Sequence, residues 1–314
     1  MCGLFIFRSA QKTQEEKDMK KRLFTGAGTA IITPMHQDGS VDYESFGRFI
    51  DWQIENGVDA IIAAATTGEC ATLNDEQHIE VIRFCVERAA GRVPVIGGTG
   101  SNDTAHGLHL TKMACEAGVD GILAVTPYYN KTTQNGLVKY FQEYAEVSTV
   151  PVIVYNVPSR TGLNIEPATY GILAEHENIV GIKEANGNIS KIVETMDIVG
   201  DRLDLYSGND DQVIPLLSLG GVGVISVLSN VVPQETHDMV AKYLAGDVKG
   251  ALELQLRYTK LIKYLFSEVN PVPVKAACAA MGFCENVLRS PLYPMEEAHE
   301  QVLLNEMRKL GILS

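Results

Sequence analysis

The chain has 314 residues, of which 46% are hydrophobic and 21% are charged. This is an ordinary globular composition and is ample for a large buried core. The formal net charge of −13 gives a surface that repels phosphate backbones, so no nucleic-acid partner is expected. No apolar run approaches the roughly 18 residues of a membrane helix, so no membrane association is expected either.

The six cysteines form no CxxC pair, and no cluster of cysteine and histidine has the spacing of a zinc site. We therefore expect reduced thiols, a cytoplasmic location and no metal. Residues 11–22 are mostly charged and polar, which predicts a solvated, poorly ordered N-terminal extension over residues 1–22. Met19 is an alternative start of the chain. The apolar stretch at residues 3–7 is shorter than the core of a signal peptide.

From residue 24 onwards, short apolar runs rich in β-formers alternate with amphipathic stretches of helical spacing. One such stretch carries Phe46, Phe49, Ile50 and Ile54 on one face. The runs predicted as strands cover residues 30–32, 60–62, 93–96, 121–125, 152–155, 179–182, 203–206 and 222–225.

Continuous apolar strands that alternate with helices predict a parallel sheet covered by helices. Eight such units favour an α/β fold of the closed (β/α)8 type, a TIM barrel, over an open doubly wound sheet. After residue 231 only helical patterns follow, such as Leu254, Tyr258 and Leu265 on one face. We expect the barrel over residues 23–232 and a helical C-terminal extension over residues 233–314.

Lys183 directly follows the sixth apolar run, where the active site of a barrel lies. Burial at the barrel mouth disfavours ammonium and lowers the pKa of a lysine, and a neutral amine attacks ketones to form imines. The alternative is a lysine that extends from a strand end into solvent. Tyr155 ends the neighbouring fifth run, about 4.8 Å away, and its phenol could move protons for such chemistry. The alternative for Tyr155 is an aromatic side chain that fills the barrel.

Two further strand ends carry groups that bind carboxylates. Thr66 and Thr67 precede a glycine at a strand-to-helix junction, where hydroxyls and free backbone N–H groups hold anions. A capping threonine in a polar loop is the alternative. Arg160 lies in the loop after Tyr155 and could bind a second carboxylate through two parallel hydrogen bonds, although alone it would more often form a surface ion pair.

Together these segments resemble the dihydrodipicolinate synthase family of pyruvate-dependent class I aldolases. The resemblance runs from about Phe24 to near the C-terminus. It is carried by residues 66–69 (TTGE), 126–130 (TPYYN), 155–162 (YNVPSRTG) and 181–185 (GIKEA).

The resemblance implies that Lys183 forms a Schiff base with pyruvate, while Tyr155, Thr66 and Tyr129 relay protons. Tyr129 is expected to reach in from the neighbouring subunit of a tight dimer, within a homotetramer. It also implies an enzyme of lysine and diaminopimelate synthesis that needs no cofactor. The remaining implied contacts are Thr67 to the pyruvate carboxylate, Arg160 to the carboxylate of L-aspartate 4-semialdehyde, and backbone groups of Gly208 and Ile225 near the lysine.

Two alternatives remain at this point. N-acetylneuraminate lyase and other sugar-acid aldolases share the lysine and the tyrosine, but they usually carry Ser-Thr in place of Thr66-Thr67 and lack an arginine at position 160. A catalytically inactive paralogue acting as a binding protein is the alternative of another class.

Many family members are inhibited by lysine at the dimer interface. The positions that match this site are Cys70, Asp75, His78, Asn102, His106 and Tyr128. His106 replaces the glutamate that is expected to pair with the amino group of the ligand, and loss of such a partner costs on the order of 2–5 kcal/mol. We therefore expect weak or absent inhibition by lysine.

Overall fold

A computed structural model describes residues 22–314 of the chain. Its centre is a closed barrel of eight parallel strands that follow one another in chain order, with β8 pairing to β1. The predicted (β/α)8 barrel with C-terminal helices is thereby confirmed. The strands are β1 (Gly26–Ala30), β2 (Ala60–Ala63), β3 (Val95–Gly98), β4 (Gly121–Val125), β5 (Val152–Asn156), β6 (Ile179–Glu184), β7 (Asp204–Ser207) and β8 (Gly223–Ser226).

The first strand lies earlier in the chain than predicted. We expected it at residues 30–32, whereas β1 covers Gly26–Ala30 and the apolar pair Ile31-Ile32 is buried just beyond its end. The strand consists of small residues because the barrel is tightly packed there. A Cβ on Gly28 would lie 2.7 Å from the Ile62 side chain and 2.8 Å from the ring of Phe24. Apolar periodicity alone misses such a strand.

Helices cover the outside of the barrel. In α1 the side chains of Phe46, Phe49 and Ile50 are fully buried, as the spacing predicts, and Asp42 caps its N-terminus. The barrel helices are α1 (Tyr43–Glu55), α2 (Asp75–Ala89), α3 (Thr104–Glu116), α4 (Gln134–Val147), α5 (Pro167–Leu173), α6 (Ile189–Val199), α7 (Val213–Ser218) and α8 (Pro233–Leu244). A single helical turn, Pro158–Thr161, follows β5.

Three further helices complete the C-terminal part: α9 (Val248–Leu265), α10 (Val272–Ala280) and α11 (Glu297–Lys309). Helix α8 packs against β1 and β8. The eighth covering helix of the barrel therefore lies inside the segment that we assigned to the C-terminal extension, and the boundary at residue 232 stays a prediction.

Residues 281–296 are not helical, a longer interruption of the predicted helical region than Pro291 and Pro294 alone indicate. Gly282 has a φ of 83°, which ends α10. Pro291 and Pro294 lack the N–H that a helix needs. Pro291 and Leu292 of this segment line a cavity described below.

The predictions for residues 1–21, including Met19 as a start, lie outside the described residues. Within residues 22–314 no helix is long and apolar enough to cross a membrane. The same residues contain no cluster of side chains that could hold a metal ion. The five cysteines that are described are free thiols.

Candidate active site

A cavity of about 460 Å³ opens at the carboxyl ends of the strands. Most of the predicted site residues line it together. These are Thr66, Thr67, Tyr155, Arg160, Lys183 and Gly208. The walls also include Asn209, Phe266, Glu268 and Asn270, so the C-terminal part of the chain closes one side of the cavity.

Lys183 is the penultimate residue of β6 and lies directly opposite Tyr155 of β5 in the barrel register. Its side chain is only 5% exposed, and its Nζ lies 4.2 Å from the centroid of the Tyr155 ring. Burial lowers the pKa of Lys183 to about 7, while the Asp210 carboxylate raises it and the Arg160 guanidinium lowers it. A substantial fraction of the amine is thus neutral near pH 7, which is what attack on a ketone requires.

Tyr155 remains a protonated phenol at neutral pH. Its ring is buried within the barrel, and burial raises the pKa of Tyr155 to about 12, although the nearby Arg160 lowers it. A phenol beside a partly neutral amine can donate a proton to an oxygen that leaves the carbonyl carbon and take it back later. The side chain packs in the apolar interior of the barrel, and its role in proton transfer stays a prediction.

Asp210 is a buried carboxylate that the sequence analysis missed. It accepts hydrogen bonds from the Ser226 hydroxyl at 2.6 Å and from the backbone N–H groups of Val227 and Leu228 at 3.0 and 2.9 Å. Burial raises the pKa of Asp210. Its carboxylate stabilises the ammonium form of Lys183 and so keeps the pKa of the lysine from falling further. The signal was its position three residues after the seventh strand.

The loop that carries Thr66 and Thr67 follows β2 and is fixed at several points. The Thr33 hydroxyl donates to the carbonyl of Gly68 at 2.8 Å, and the N–H of Glu69 donates to the carbonyl of Thr66 at 3.1 Å. The Oγ1 of Thr67 accepts a hydrogen bond from the Asn270 amide at 3.0 Å. Thr66 is half-buried and Thr67 is buried, and both face the cavity.

Glu69 anchors the same loop to the C-terminal part of the chain. Its carboxylate forms an ion pair with Lys275 of α10 at 2.5 Å, and both side chains are almost completely buried. The other carboxylate oxygen accepts from the backbone N–H of Arg289 at 3.1 Å. Glu69 has a φ of 58°, a left-handed conformation that is uncommon outside glycine. The ion pair therefore holds a strained backbone directly beside the two threonines.

Arg160 lies in the helical turn after β5, with its guanidinium exposed at the mouth of the cavity. The Nη2 atom donates to the backbone carbonyl of Asn270 at 3.1 Å. The start of this turn is set by Asn156, whose amide donates to the buried Glu184 carboxylate at 3.0 Å. Burial raises the pKa of Glu184 to about 7, against hydrogen bonds from Tyr170 and Asn156 that lower it.

A sequence profile described as the dihydrodipicolinate synthetase family matches residues 23–309. The 4-hydroxy-tetrahydrodipicolinate synthase of Lachnoclostridium phytofermentans is 53% identical over 292 residues, which cover 93% of this chain and 99% of that protein. The chain belongs to the dihydrodipicolinate synthetase family.

Solved structures of the family agree with this membership. The dihydrodipicolinate synthase of Thermotoga maritima has a TM-score of 0.91 at 43% identity, covering 93% of this chain and 100% of that one. The Acinetobacter baumannii enzyme, solved in complex with pyruvate, has a TM-score of 0.90 at 40% identity and covers 92% and 99%. The predicted resemblance is confirmed, and N-acetylneuraminate lyase and an inactive paralogue are not favoured.

Gly208 lines the cavity with Lys183, whereas Ile225 does not. The N–H of Gly208 donates to the carbonyl of Glu184 at 2.7 Å, and the residue lines the cavity. Ile225 lies in β8 opposite Gly28, and it belongs to the buried apolar cluster inside the barrel that also contains Tyr206. The prediction that both present backbone groups near the lysine stays a prediction.

Tyr129 does not line the cavity of its own chain. It lies in the loop after β4, its side chain is 91% exposed, and its backbone has a φ of 69°. An exposed tyrosine in an unfavourable backbone conformation is unusual unless a partner holds it. The geometry is compatible with a contribution to a neighbouring subunit, which stays a prediction.

Two of the six positions predicted to match the family's lysine site, Cys70 and Tyr128, line a second cavity of about 310 Å³ together with Thr66 and Arg160. The Cys70 thiol is protonated, since burial raises its pKa to about 11. Burial also raises the pKa of Tyr128, mainly by withdrawing the phenol from water.

Asp75 and His106, two of the six predicted positions, contact each other. The Nε2 of His106 contacts the Asp75 carboxylate at 2.9 Å, and its Nδ1 contacts the Ser101 hydroxyl at 3.2 Å. The ring of His78 is buried against the carbonyl of Gly98 at 2.7 Å, and burial lowers its pKa. The carbonyl of Asn102 accepts from Asn130 at 2.8 Å. The only carboxylate among the six positions is therefore already engaged by His106.

Proposed function

We propose that the protein is a 4-hydroxy-tetrahydrodipicolinate synthase, a lyase that condenses pyruvate with L-aspartate 4-semialdehyde in the synthesis of diaminopimelate and lysine. The observation that carries the proposal is the buried Lys183, whose pKa is lowered to about 7 beside the phenol of Tyr155. Threonine hydroxyls and a guanidinium, both suited to carboxylates, line the same cavity. Family membership and the named relatives support this assignment.

The first half of the reaction is the formation of the imine. Neutral Lys183 Nζ attacks the ketone carbon of pyruvate, and the carbonyl oxygen leaves as water after two protonations. Tyr155 supplies these protons, with Thr66 and Tyr129 of the neighbouring subunit as a relay to solvent. The hydroxyl of Thr67 holds the pyruvate carboxylate. Loss of a methyl proton from the imine then gives the nucleophilic enamine.

The second half joins the two substrates. The enamine carbon attacks the aldehyde carbon of the semialdehyde, and Tyr155 protonates the resulting alkoxide. Arg160 at the cavity mouth holds the carboxylate of this second substrate by two parallel hydrogen bonds. The amine of the semialdehyde then attacks the imine carbon, closes the ring and releases Lys183 as a free amine. No external electron acceptor is consumed, so the atoms and electrons balance without a cofactor.

We also infer a homotetramer built from tight dimers, in which Tyr129 of each chain completes the relay of its neighbour. The nearly full exposure of Tyr129 in the single chain supports this arrangement. The free thiols of the described residues fit a reducing compartment, which supports a location in the cytoplasm.

A coupled assay with pyruvate and L-aspartate 4-semialdehyde, run beside cleavage of N-acetylneuraminate, tests the proposal. We expect turnover only with the first pair, and activity only on N-acetylneuraminate would contradict it. Lys183→Ala should lose several orders of magnitude in rate and should trap no pyruvate on treatment with borohydride. Lys191→Ala is the matched control, since Lys191 is an exposed lysine that pairs with Glu194. A wild-type protein that traps no adduct would be no enzyme of this type.

A further inference from the structure

Asn270 connects the two groups that we assign to the substrate carboxylates. It lies between α9 and α10, its side chain is buried, and it borders both cavities. Its amide Nδ2 donates to the Oγ1 of Thr67 at 3.0 Å. Its backbone carbonyl accepts from the Nη2 of Arg160 at 3.1 Å. One residue of the C-terminal part thus contacts both binding groups of the barrel.

The direction of the first hydrogen bond determines what Thr67 can do. A threonine hydroxyl has one hydrogen to donate and lone pairs with which to accept. Because the Asn270 amide donates to Oγ1, the hydrogen of the hydroxyl is left for another acceptor. A carboxylate in the cavity is such an acceptor, since it has no hydrogen of its own. Asn270 therefore prepares Thr67 as a donor.

The second amide atom of Asn270 supports this interpretation. Its Oδ1 is buried and has no hydrogen-bond partner among residues 22–314. With the amide reversed, Oδ1 would accept the hydrogen of Thr67, and the hydroxyl would be unable to donate to a substrate. Either orientation of the amide pairs one of its two atoms with Thr67, and the orientation present is the one that leaves the hydroxyl hydrogen free to donate.

We propose that Asn270 is a positioning residue for both substrates. Its side chain orients the Thr67 hydroxyl toward the carboxylate of the 2-oxo acid, and its backbone carbonyl holds the Arg160 guanidinium over the cavity mouth for the second carboxylate. The proposal rests on the proposed function, since it takes from there the two carboxylates and their partners.

The two contacts predict that a change of the Asn270 side chain affects the binding of the two substrates differently. Replacement of the side chain removes the hydrogen bond to Thr67 but keeps the carbonyl that holds Arg160. Asn270→Ala should therefore weaken pyruvate binding up to about tenfold, the effect of one hydrogen bond between neutral groups. The Michaelis constant for the semialdehyde should stay within about twofold of wild type. A residue that only stabilised the fold would change both constants together.

The test measures the pyruvate concentration that gives half-maximal borohydride-trapped adduct on Lys183, by intact mass. This readout needs no second substrate. The variants are Asn270→Ala, Thr67→Val and the double variant, and the Michaelis constants for both substrates are measured in parallel. Asn286→Ala is the matched control, because the Oδ1 of Asn286 is likewise buried without a partner but Asn286 does not line the cavity.

We expect each single variant to raise the half-saturating pyruvate concentration and the double variant to raise it no further, because Asn270 acts through Thr67. Additive effects, or an unchanged value for Asn270→Ala, would overturn the proposal. If Asn270→Ala does not fold, Asn270→Asp keeps the size of the side chain and takes the hydrogen of Thr67. It should weaken pyruvate binding more strongly, and wild-type binding would refute the idea. Wild type that traps pyruvate without turning over the semialdehyde contradicts the proposed function alone.

Discussion

The lowered pKa of Lys183 makes a quantitative prediction about the pH dependence of imine formation. With a pKa of about 7, roughly half of the amine is neutral at pH 7. An ordinary lysine with a pKa of about 10.4 would be neutral in fewer than one molecule in a thousand, so burial increases the reactive form about a thousandfold. The rate of adduct formation should rise about tenfold per pH unit below pH 7 and level off above about pH 8.

The assay mixes enzyme and pyruvate at each pH, quenches with borohydride at timed intervals and measures the adduct by mass. Burial raises the pKa of Tyr155 to about 12, so its phenol adds no second break in this range. Asp210→Asn should move the midpoint to lower pH, because the carboxylate raises the pKa of Lys183. The Lys183→Ala variant gives the background level of trapped adduct. A rate that keeps climbing tenfold per unit beyond pH 9 would refute the reasoning.

Three further predictions concern the surroundings of the site. Lys275→Met removes the cation that pairs with the buried Glu69 carboxylate. The free energy of unfolding of this variant, measured in urea, should be about 3–5 kcal/mol lower than that of wild type. A loss below about 1 kcal/mol would show that the ion pair is not a main anchor of the loop. His106→Glu restores the carboxylate that the family resemblance places at this position. It should strengthen inhibition by lysine at least about tenfold over wild type, and submillimolar half-inhibition of the wild-type enzyme would contradict our expectation. Tyr129→Phe should lose activity as a homo-oligomer, but mixing it with Lys183→Ala subunits should restore part of the activity, because a mixed dimer contains one site with both wild-type groups. Absence of any recovery after confirmed subunit exchange would argue against a tyrosine supplied in trans.

The parts of the site that the sequence predicted are those that follow from strand order. Lys183 and Tyr155 end consecutive apolar runs, and consecutive strands of a barrel are neighbours, so their contact needs no tertiary information. Thr66, Thr67 and Arg160 could be placed by the same argument, because each follows a strand on the side where the active site lies. Only the family resemblance identified pyruvate and an amino-acid aldehyde as the substrates that these residues would bind.

The parts that the sequence did not predict depend on contacts between distant segments. Glu69 and Lys275 are 206 residues apart, and Thr67 and Asn270 are 203 apart. Helical spacing in the C-terminal part fixes which face is buried, but it says nothing about which barrel loop that face meets. Pro271 immediately precedes α10, yet only the packing shows that the segment before this helix presents Asn270 to the cavity.

The burial that makes Lys183 reactive also destabilises the folded chain, and the sign can be worked out. The folded pKa is about 7, whereas an unfolded chain titrates near 10.4, so the unfolded state binds more protons between these values and stability rises with pH across this window. The penalty is largest below pH 7, at about 5 kcal/mol, and disappears toward pH 10.4. A packed barrel tolerates such a group because its apolar core is large and because Asp210 offsets part of the penalty. The buried Glu69–Lys275 pair withdraws two charges from water, a cost that offsets much of their attraction, so its main contribution is to hold the loop of Thr66 and Thr67 against α10. The buried Lys183 lowers the stability of the fold in favour of a neutral amine, and the buried ion pair contributes alignment of the loop more than stability.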